Sequence, residues 1–591
     1  MAFSKYYQEE LLALRELGKE FAAKNPALVP FLDTPGRDPD VERLLEGFAF
    51  LTGRLRQKID DELPEIIQSL FNMLWPNYLR PIPAASILRY KPSGNISGSV
   101  TITKGTMVDS KTVNEFRCQF KTVYDVEILP LKLVEHNVLE KDNEASLVLK
   151  FKSLGAPLIN ISFSNLRFFI HGEPSTAKSI YYSMVAKTQQ VRLVLQDKND
   201  TPVTALSLGA KECIRPVGFS EEEGLYPYPA NIFHGYRILQ EYFSFPEKFL
   251  FVDVVNLDKG FNSYTLSEFN HTDEFELHFV LPDLPDSFRS FRLENWQLFC
   301  TPVVNLFKKN ASPLLLDHKQ TEYHIVPDKT LPYNYATYSI DRMIEWGHNK
   351  RIDKIYTEFV SAEYETAKAT SHSHYRRKIS PSLIDGIPEI YISLLQEPEQ
   401  TNFQQSKSIS IELTCTNRNL PQQLDVGDIC IPADNTPHAV SFQNITPVTP
   451  PLYPPLEGDI LWRLMSNMSL NYISLTSIPA LRSIISAYDL KALHDRKRAK
   501  ILKSILNGMI SISCKQTDRL HKGLPMRGMR TTLVLDQHSF SCEGDMYLFG
   551  SVLSEFFALY ATANSFHQLT VVEAKRGVEY QWPSILGKMR M

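Results

Sequence analysis

Residues 38–60 read DPDVERLLEGFAFLTGRLRQKID, and their spacing decides how the first part of the chain folds. Asp38-Pro39-Asp40 is a helix start: a side chain able to cap, a proline at the first helical position, and an acid in the first turn. Apolar residues then recur at Val41, Leu44, Phe48, Leu51, Leu55 and Ile59, three or four apart, as on one face of an α-helix. Pro64 interrupts the pattern, and Asp61 or Glu62 can cap a restart. The stripe resumes at Ile66, Leu70 and Leu74 and stops at Trp75-Pro76. Upstream, Ser4 can cap a helix carrying Tyr7, Leu11, Leu14, Leu17 and Phe21, which Asn25-Pro26 ends. Residues 1–85 are therefore a predicted helical arm. Its spacings alone suit an internal core and a partner helix equally.

From about residue 86 the apolar period changes from 3.6 to two. Val100-Thr103, Val123-Val134, Leu147-Phe151, Arg167-Ile170, Val191-Leu195, Phe275-Leu281 and Ile409-Cys415 read as strands separated by turn residues. We expect two β-rich domains here, 86–255 and 256–445. The segment Ile445-Thr446-Pro447-Val448-Thr449-Pro450-Pro451-Leu452-Tyr453-Pro454-Pro455 reads as a stiff, extended linker. Beyond it, 456–591 alternates helical patterns (459–472, 480–493, then a basic stretch to Leu506, and 545–561) with strands at Met509-Cys514, Thr531-Asp536 and Leu569-Val572. The predicted class is α+β multidomain, with an N-terminal helical arm, β-rich central domains and a C-terminal α+β domain. A length of 591 residues agrees, at roughly 150 residues per domain.

Composition narrows the chemistry. Hydrophobic residues make up 43% and charged residues 22%, so the chain can bury real cores. A formal net charge of -4 gives no electrostatic case for nucleic acid or an anionic membrane. Cys118, Cys213, Cys300, Cys415, Cys430, Cys514 and Cys542 are odd in number, widely spaced and without a Cys-x-x-Cys. That argues against a disulfide framework and a thiolate zinc site, and for a reducing cytoplasm. The N-terminus has no apolar signal core. The most apolar helical pattern, Met546 to Ala561, is divided by Glu555 into runs too short to span a bilayer.

Motifs for catalysis are missing. No phosphate-binding glycine pattern occurs, and Gly94-Asn95-Ile96-Ser97-Gly98 has the wrong spacing for a nucleophile elbow. His372-Ser373-His374 has no acidic ligand nearby and is followed by Tyr375-Arg376-Arg377-Lys378, which would repel a cation, so it reads as a solvated loop. Glu221-Glu222-Glu223-Gly224 lacks the alternating ligands of a calcium loop and reads as a solvated turn. Arg496-Lys497-Arg498-Ala499-Lys500 reads as a solvated helix face, with contact to an acidic partner as the sharper alternative. We expect no catalytic residues, no cofactor and no metal.

The distinctive stretches are others. Tyr6-Tyr7-Gln8-Glu9-Glu10-Leu11 with Leu14-Arg15-Glu16-Leu17-Gly18, the block Pro35–Leu51, and Leu74-Trp75-Pro76-Asn77-Tyr78-Leu79-Arg80-Pro81-Ile82-Pro83 resemble the opening of the TssF family, also called VasA or ImpG. Gln240–Leu250, Cys300-Thr301-Pro302-Val303-Val304-Asn305-Leu306-Phe307, Trp462-Arg463-Leu464, Leu470–Leu475, Tyr547–Leu553 and Asn564-Ser565-Phe566 are similar to later family blocks, in order. Within them, Phe243, Phe245 and Phe249 suit a core more than an interface.

The resemblance implies a non-enzymatic structural subunit of the type VI secretion baseplate. In that picture two TssF copies join one TssG in a wedge, TssE and TssK add to it, and six wedges around the spike form the platform for tube and sheath. It also implies a cytoplasmic protein docked through the baseplate to the inner-membrane complex, with no nucleic acid and no direct membrane insertion. The arm stripe Val41, Leu44, Phe48, Leu51 and Leu55 would be the partner interface. A wedge protein of a related contractile phage tail or particle is the alternative, and a soluble enzyme with a β-rich catalytic domain is a further one.

Overall fold

Helix α1 (Ala2–Lys24) and helix α2 (Pro39–Asp60) form an antiparallel hairpin, in which Gly53 lies beside Tyr7 and Arg15 pairs with Glu42. The computed structural model describes residues 2–24, 39–60, 68–72, 75–92, 98–141, 144–155, 158, 161, 164–196, 202–228, 234–259, 273–282, 291–316, 320–346, 352–359, 373–382, 384–395, 407–433, 436, 440–456, 461, 477–521, 524–558, 561 and 564–587. Helix α2 begins at Pro39, as the proline signal predicts. Helix α1 begins at Ala2, so Ser4 lies inside its first turn and is not its cap. The restart signals at Asp61, Glu62 and Pro64 fall outside the described residues, as do the 459–460 and 462–472 parts of the predicted helix after the proline-rich segment and His372.

Every predicted strand is found, with one subdivision. The run expected from Val123 to Val134 is two strands, Val126–Ile128 and Leu131–Lys141, because Pro130 between them has no N–H to give a ladder. Chain order and sheet order differ widely. One six-stranded sheet runs 429–432, 107–113, 116–122, 300–304, 85–92, 440–444. A five-stranded sheet runs 202–209, 190–196, 274–281, 144–153, 131–141. Strand pairing thus crosses residue 255 in both, and the expected boundary there falls inside an interleaved region. An eight-stranded sheet within 307–416 has its own apolar cluster, with Met343, Ile392, Ile409 and Leu413 fully buried. His374 belongs to this sheet, on the strand Ser373–Pro381, where its Nδ1 meets Thr357 Oγ1 at 2.9 Å. It is therefore not on a solvated loop; alternation with the buried Tyr375, Arg377 and Ile379 makes the stretch a strand.

The proline-rich segment is extended, and it is hydrogen-bonded along its length. Ile445 N donates to Ile87 O at 2.9 Å and Thr449 N to Ala85 O at 2.9 Å, while Leu452 and Ile82 exchange both backbone bonds. The Thr446 hydroxyl accepts from Ile87 N at 2.9 Å. Prolines suit such an edge because few N–H groups are then left without partners.

Much of the remaining chain shares one apolar cluster reaching from Phe71 to Trp582. Its centre is aromatic. Trp75 lies 5.3 Å from Tyr78, 5.4 Å from Tyr236 and 5.3 Å from Tyr488 between ring centroids, and Tyr236 stacks on Tyr488 at 5.7 Å. The helix Glu543–Ala558 packs closely on the helix Pro174–Tyr182. A side chain at Gly544 would come within 2.1 Å of Lys178 O, and Lys178 Nζ bonds Asp545 at 2.7 Å beside it. The apolar run that sequence flagged from Met546 is thus a core helix, with Met546, Phe549, Val552 and Phe556 fully buried.

A buried ionic group sits under the helix His234–Ser244. Glu241 is fully buried; its Oε1 accepts from Leu225 N at 2.7 Å and its Oε2 pairs with the equally buried Lys248. Arg237 reaches the same carboxylate at 3.6 Å and donates to Phe219 O and Ser220 O, both at 2.9 Å. Burial pushes the Lys248 ammonium down to about 8, against the pull of Glu241. Nearby, Glu223 accepts from Gly218 N and Ser220 N and is half-buried, so the 221–224 turn is anchored on one side instead of fully solvated. Removing one member of such a group leaves uncompensated charge, at a cost of about 3–5 kcal/mol. Glu241→Ala should therefore lower the melting temperature by about 5 °C or more in a thermal scan at pH 7.

His567 gives a pH dependence. It is buried, with Nε2 at 2.9 Å from Thr531 Oγ1, and desolvation lowers its pKa from 6.5 to about 4. The unfolded chain takes up this proton near 6.5 and the folded chain only near 4. The group's contribution is full above about 6.5 and is lost as pH falls toward 4, on the order of 3 kcal/mol at the lower end. His567→Gln should flatten the decline of melting temperature between pH 6.5 and 4.5 relative to the natural chain.

Candidate interaction site

The two helices of the hairpin meet through small residues. Among the described side chains of α1 and α2, only Ala49 and Gly53, one helical turn apart, are buried. A Cβ at Gly53 would stand 3.2 Å from Tyr7 N and 3.3 Å from its Cα, so the backbones touch there. Tyr7, Leu11 and Leu14 of α1 and Val41, Glu42, Leu45 and Thr52 of α2 are half-buried around this contact. The Arg15–Glu42 pair closes the other end.

Other large apolar residues point elsewhere. On α2, Leu44 is 74% exposed, Phe48 56%, Leu51 62% and Leu55 62%; Val41 alone of the predicted stripe is half-buried. On α1, Leu12, Leu17 and Phe21 are also exposed, as is Phe50 on α2. The structure thus brings the predicted residues Leu44, Phe48, Leu51 and Leu55 together on one exposed helix face. Sequence reasoning missed what lines the hairpin seam. The signal available was Ala49-x-x-x-Gly53, whose spacing allows close helix approach and turns the leucine face outward. An exposed apolar face of this extent is unusual on a monomer.

Among the described residues, no comparable arrangement of reactive groups accompanies it. Among the described residues, no three His, Cys, Asp or Glu side chains are placed to hold a metal ion. The strongly shifted Lys248 belongs to a charged group whose members are at most 1% exposed, so its role is in holding the core. Phe243, Phe245 and Phe249 are buried beside it, as their core reading predicts. None of the seven cysteines is in a disulfide, and burial pushes the Cys118 and Cys213 thiols up to about 11 and Cys415 to about 12. No described helix is long and apolar enough to cross a membrane.

The family model described as Type VI secretion system, TssF matches residues 1–589. The chain is similar to the type VI secretion system component TssF1 of Pseudomonas aeruginosa, 26% identical over 629 aligned positions, spanning 98% of this chain and 97% of that protein. It is also similar to a chain in the TssK-TssF-TssG baseplate subcomplex revealed by cryo-electron microscopy, with a TM-score of 0.75 and 27% identity over 92% of this chain and 98% of that one. A chain of the type VI secretion baseplate complex shares the fold, with a TM-score of 0.63 and 24% identity over 98% of this chain and 99% of that one.

The seam is testable by itself. Gly53→Val should push α1 off α2, because the added atoms meet Tyr7 backbone, which cannot rotate away. Hydrogen exchange in residues 2–24 should rise sharply while the six-stranded sheet keeps its protection. Gly53→Ala should be much milder, since its gain in helix propensity of about 1 kcal/mol offsets the tighter contact.

Proposed function

Because this chain belongs to the TssF family of the type VI secretion system, we propose that it is a wedge subunit of the secretion baseplate, held to its neighbours through the α1–α2 hairpin. The observation that carries the proposal is the exposed stripe Leu44, Phe48, Leu51 and Leu55. In this reading the stripe packs against helices of TssG and of a second copy of this chain, as a shared bundle. Each of these side chains covered there contributes about 1.5–3 kcal/mol from removal of its surface from water, so the four anchors suffice for a firm, sequence-selective joint. The body supplies a rigid mount, and TssK and TssE join the same wedge. Six wedges would surround the spike and provide the platform for tube and sheath, in the cytoplasm beneath the inner-membrane complex. The mechanism is mechanical: large interfaces that shift between discrete packings need no cofactor.

Replacing Leu44 and Leu51 with Asp tests the joint. Both positions are exposed in the single chain, so the double variant should fold, with circular dichroism and melting temperature close to the natural chain. In the bundle it would bury carboxylates in an apolar seam, costing several kcal/mol. Co-purification of TssG should therefore fall by at least about tenfold. Undiminished capture of TssG by the folded variant would place the joint elsewhere. Global unfolding of the variant would mean that the stripe serves an internal core.

A further inference from the structure

We propose that the hairpin ribbon Met509–His521/Leu524–Leu535 is a second docking surface, which takes an acidic, extended segment of a partner protein as an added β-strand along its free edge. This goes beyond the helical joint and does not depend on it. The two strands pair over their whole length, but the next strand of the sheet, Phe566–Glu573, reaches only to Met529. Residues 517–521 and 524–528 therefore pair with each other alone among the described strands. Lys515, Gln516, Asp518, Arg519, Leu520, Pro525 and Arg527 are all exposed, so this part of the ribbon is wetted on both faces. A two-stranded ribbon is marginal by itself in water, and gains most from a third strand.

Charge says what that strand carries. Side chains alternate, so Lys515 and Arg519 share the outward face with Arg530, and Lys515 stands directly opposite Arg530. Like charges in directly opposed positions destabilise a strand pair unless something anionic lies between them. Neither ribbon strand places a carboxylate on that face; Asp518 is on the other, 3.5 Å from Arg527. Arg519 donates to Ser584 Oγ at 2.7 Å and Arg530 to Gln568 Oε1 at 3.3 Å, neutral contacts, and neither has an ion-pair partner among the described residues. From Asp495 to Leu535 the sequence has ten Lys and Arg against two Asp, in a chain of formal net charge -4. The helix Arg496–Asn507 that runs into the ribbon exposes Arg496, Lys497, Lys500 and Lys503.

Backbone geometry selects protein over nucleic acid. The strand Met509–His521 is the sheet's terminal strand and pairs only with Leu524–Leu535 among the described residues, so its outer N–H and C=O groups form a ready template for a further strand. No Phe, Tyr or Trp occurs between Gly508 and Leu535 to stack a base.

The experiment uses the full chain and a labelled synthetic peptide of alternating Glu and Val, about ten residues long, followed by fluorescence anisotropy at low salt. It should bind at least about tenfold more tightly than an alternating Ser-Val peptide, and binding should weaken at about 0.5 M salt. The triple variant Lys515→Glu, Arg519→Glu, Arg530→Glu should lose at least about tenfold in affinity while keeping its melting temperature. Hydrogen exchange on the natural chain needs no variant: the peptide should protect amides within 509–521. The proposal is overturned if an oligothymidine of equal length binds more tightly than the Glu-Val peptide, if the folded triple variant binds that peptide as well as the natural chain, or if residues 509–521 gain no protection.

Discussion

The packing of Trp75 against Tyr78, Tyr236 and Tyr488 is the contact on which the rest of the arrangement depends. Four rings from three distant stretches of sequence meet there, each at least 93% removed from solvent. The rings bury large area with few rotatable bonds, so they fix direction as well as position. Tyr78 adds a hydrogen bond to Ala487 O at 3.2 Å, and Asn77 one to Pro227 O at 3.0 Å. The chain arriving from the helical arm is thus tied at once to the helix His234–Ser244 and to the helix Ile478–Tyr488. Just upstream, Gln68 both donates to and accepts from the Ile379 backbone at 3.1 and 3.2 Å, which joins the eight-stranded sheet to the same point. Beneath this node the Glu241 group does for charge what the rings do for apolar surface. Its carboxylate is the one acceptor shared by Leu225 N, Lys248 and Arg237.

Local sequence carried the elements well and their partnerships poorly. Strands such as Phe275-Leu281 and Ile409-Cys415 were legible because alternation is a property of a few neighbouring residues. The Trp75-Pro76-Asn77-Tyr78 block was legible as an exit from the arm but not as the junction of the molecule, because its partners lie about 160 and 410 residues away. Interleaving of strands 85–92, 300–304 and 440–444 in one sheet left no local trace either. His374 misled for a different reason. Its flanking Arg and Lys suggested solvent, yet Arg377 is buried against Glu358 and Asn72, and compensation by distant partners cannot be read along the chain.

The arm shows a subtler limit. Its 3–4 spacing was visible, but a periodic stripe says only that one face is apolar. Ala49 and Gly53 settle which face turns inward, because a helix pair closes most tightly where side chains are smallest, and α1 occupies that side. The leucine face is then left over by geometry. Had position 53 carried a side chain, the wider seam would have favoured Leu44 and Leu51 as its filling.

Surface and core thus divide the labour by residue size. Inside the body, large side chains fill the node and small ones, Gly544 against Lys178 and Gly550 against Trp582, let helices and strands approach. In the hairpin the order is inverted: small residues hold the two helices together and large ones face outward. A chain arranged this way keeps its own fold without help from the exposed leucines. The same separation holds at the other end of the molecule, where Leu533, Leu535, Leu569 and Val571 are fully buried in the sheet while the ribbon beyond Met529 contributes little to it. Both features can therefore change their surroundings without disturbing the node.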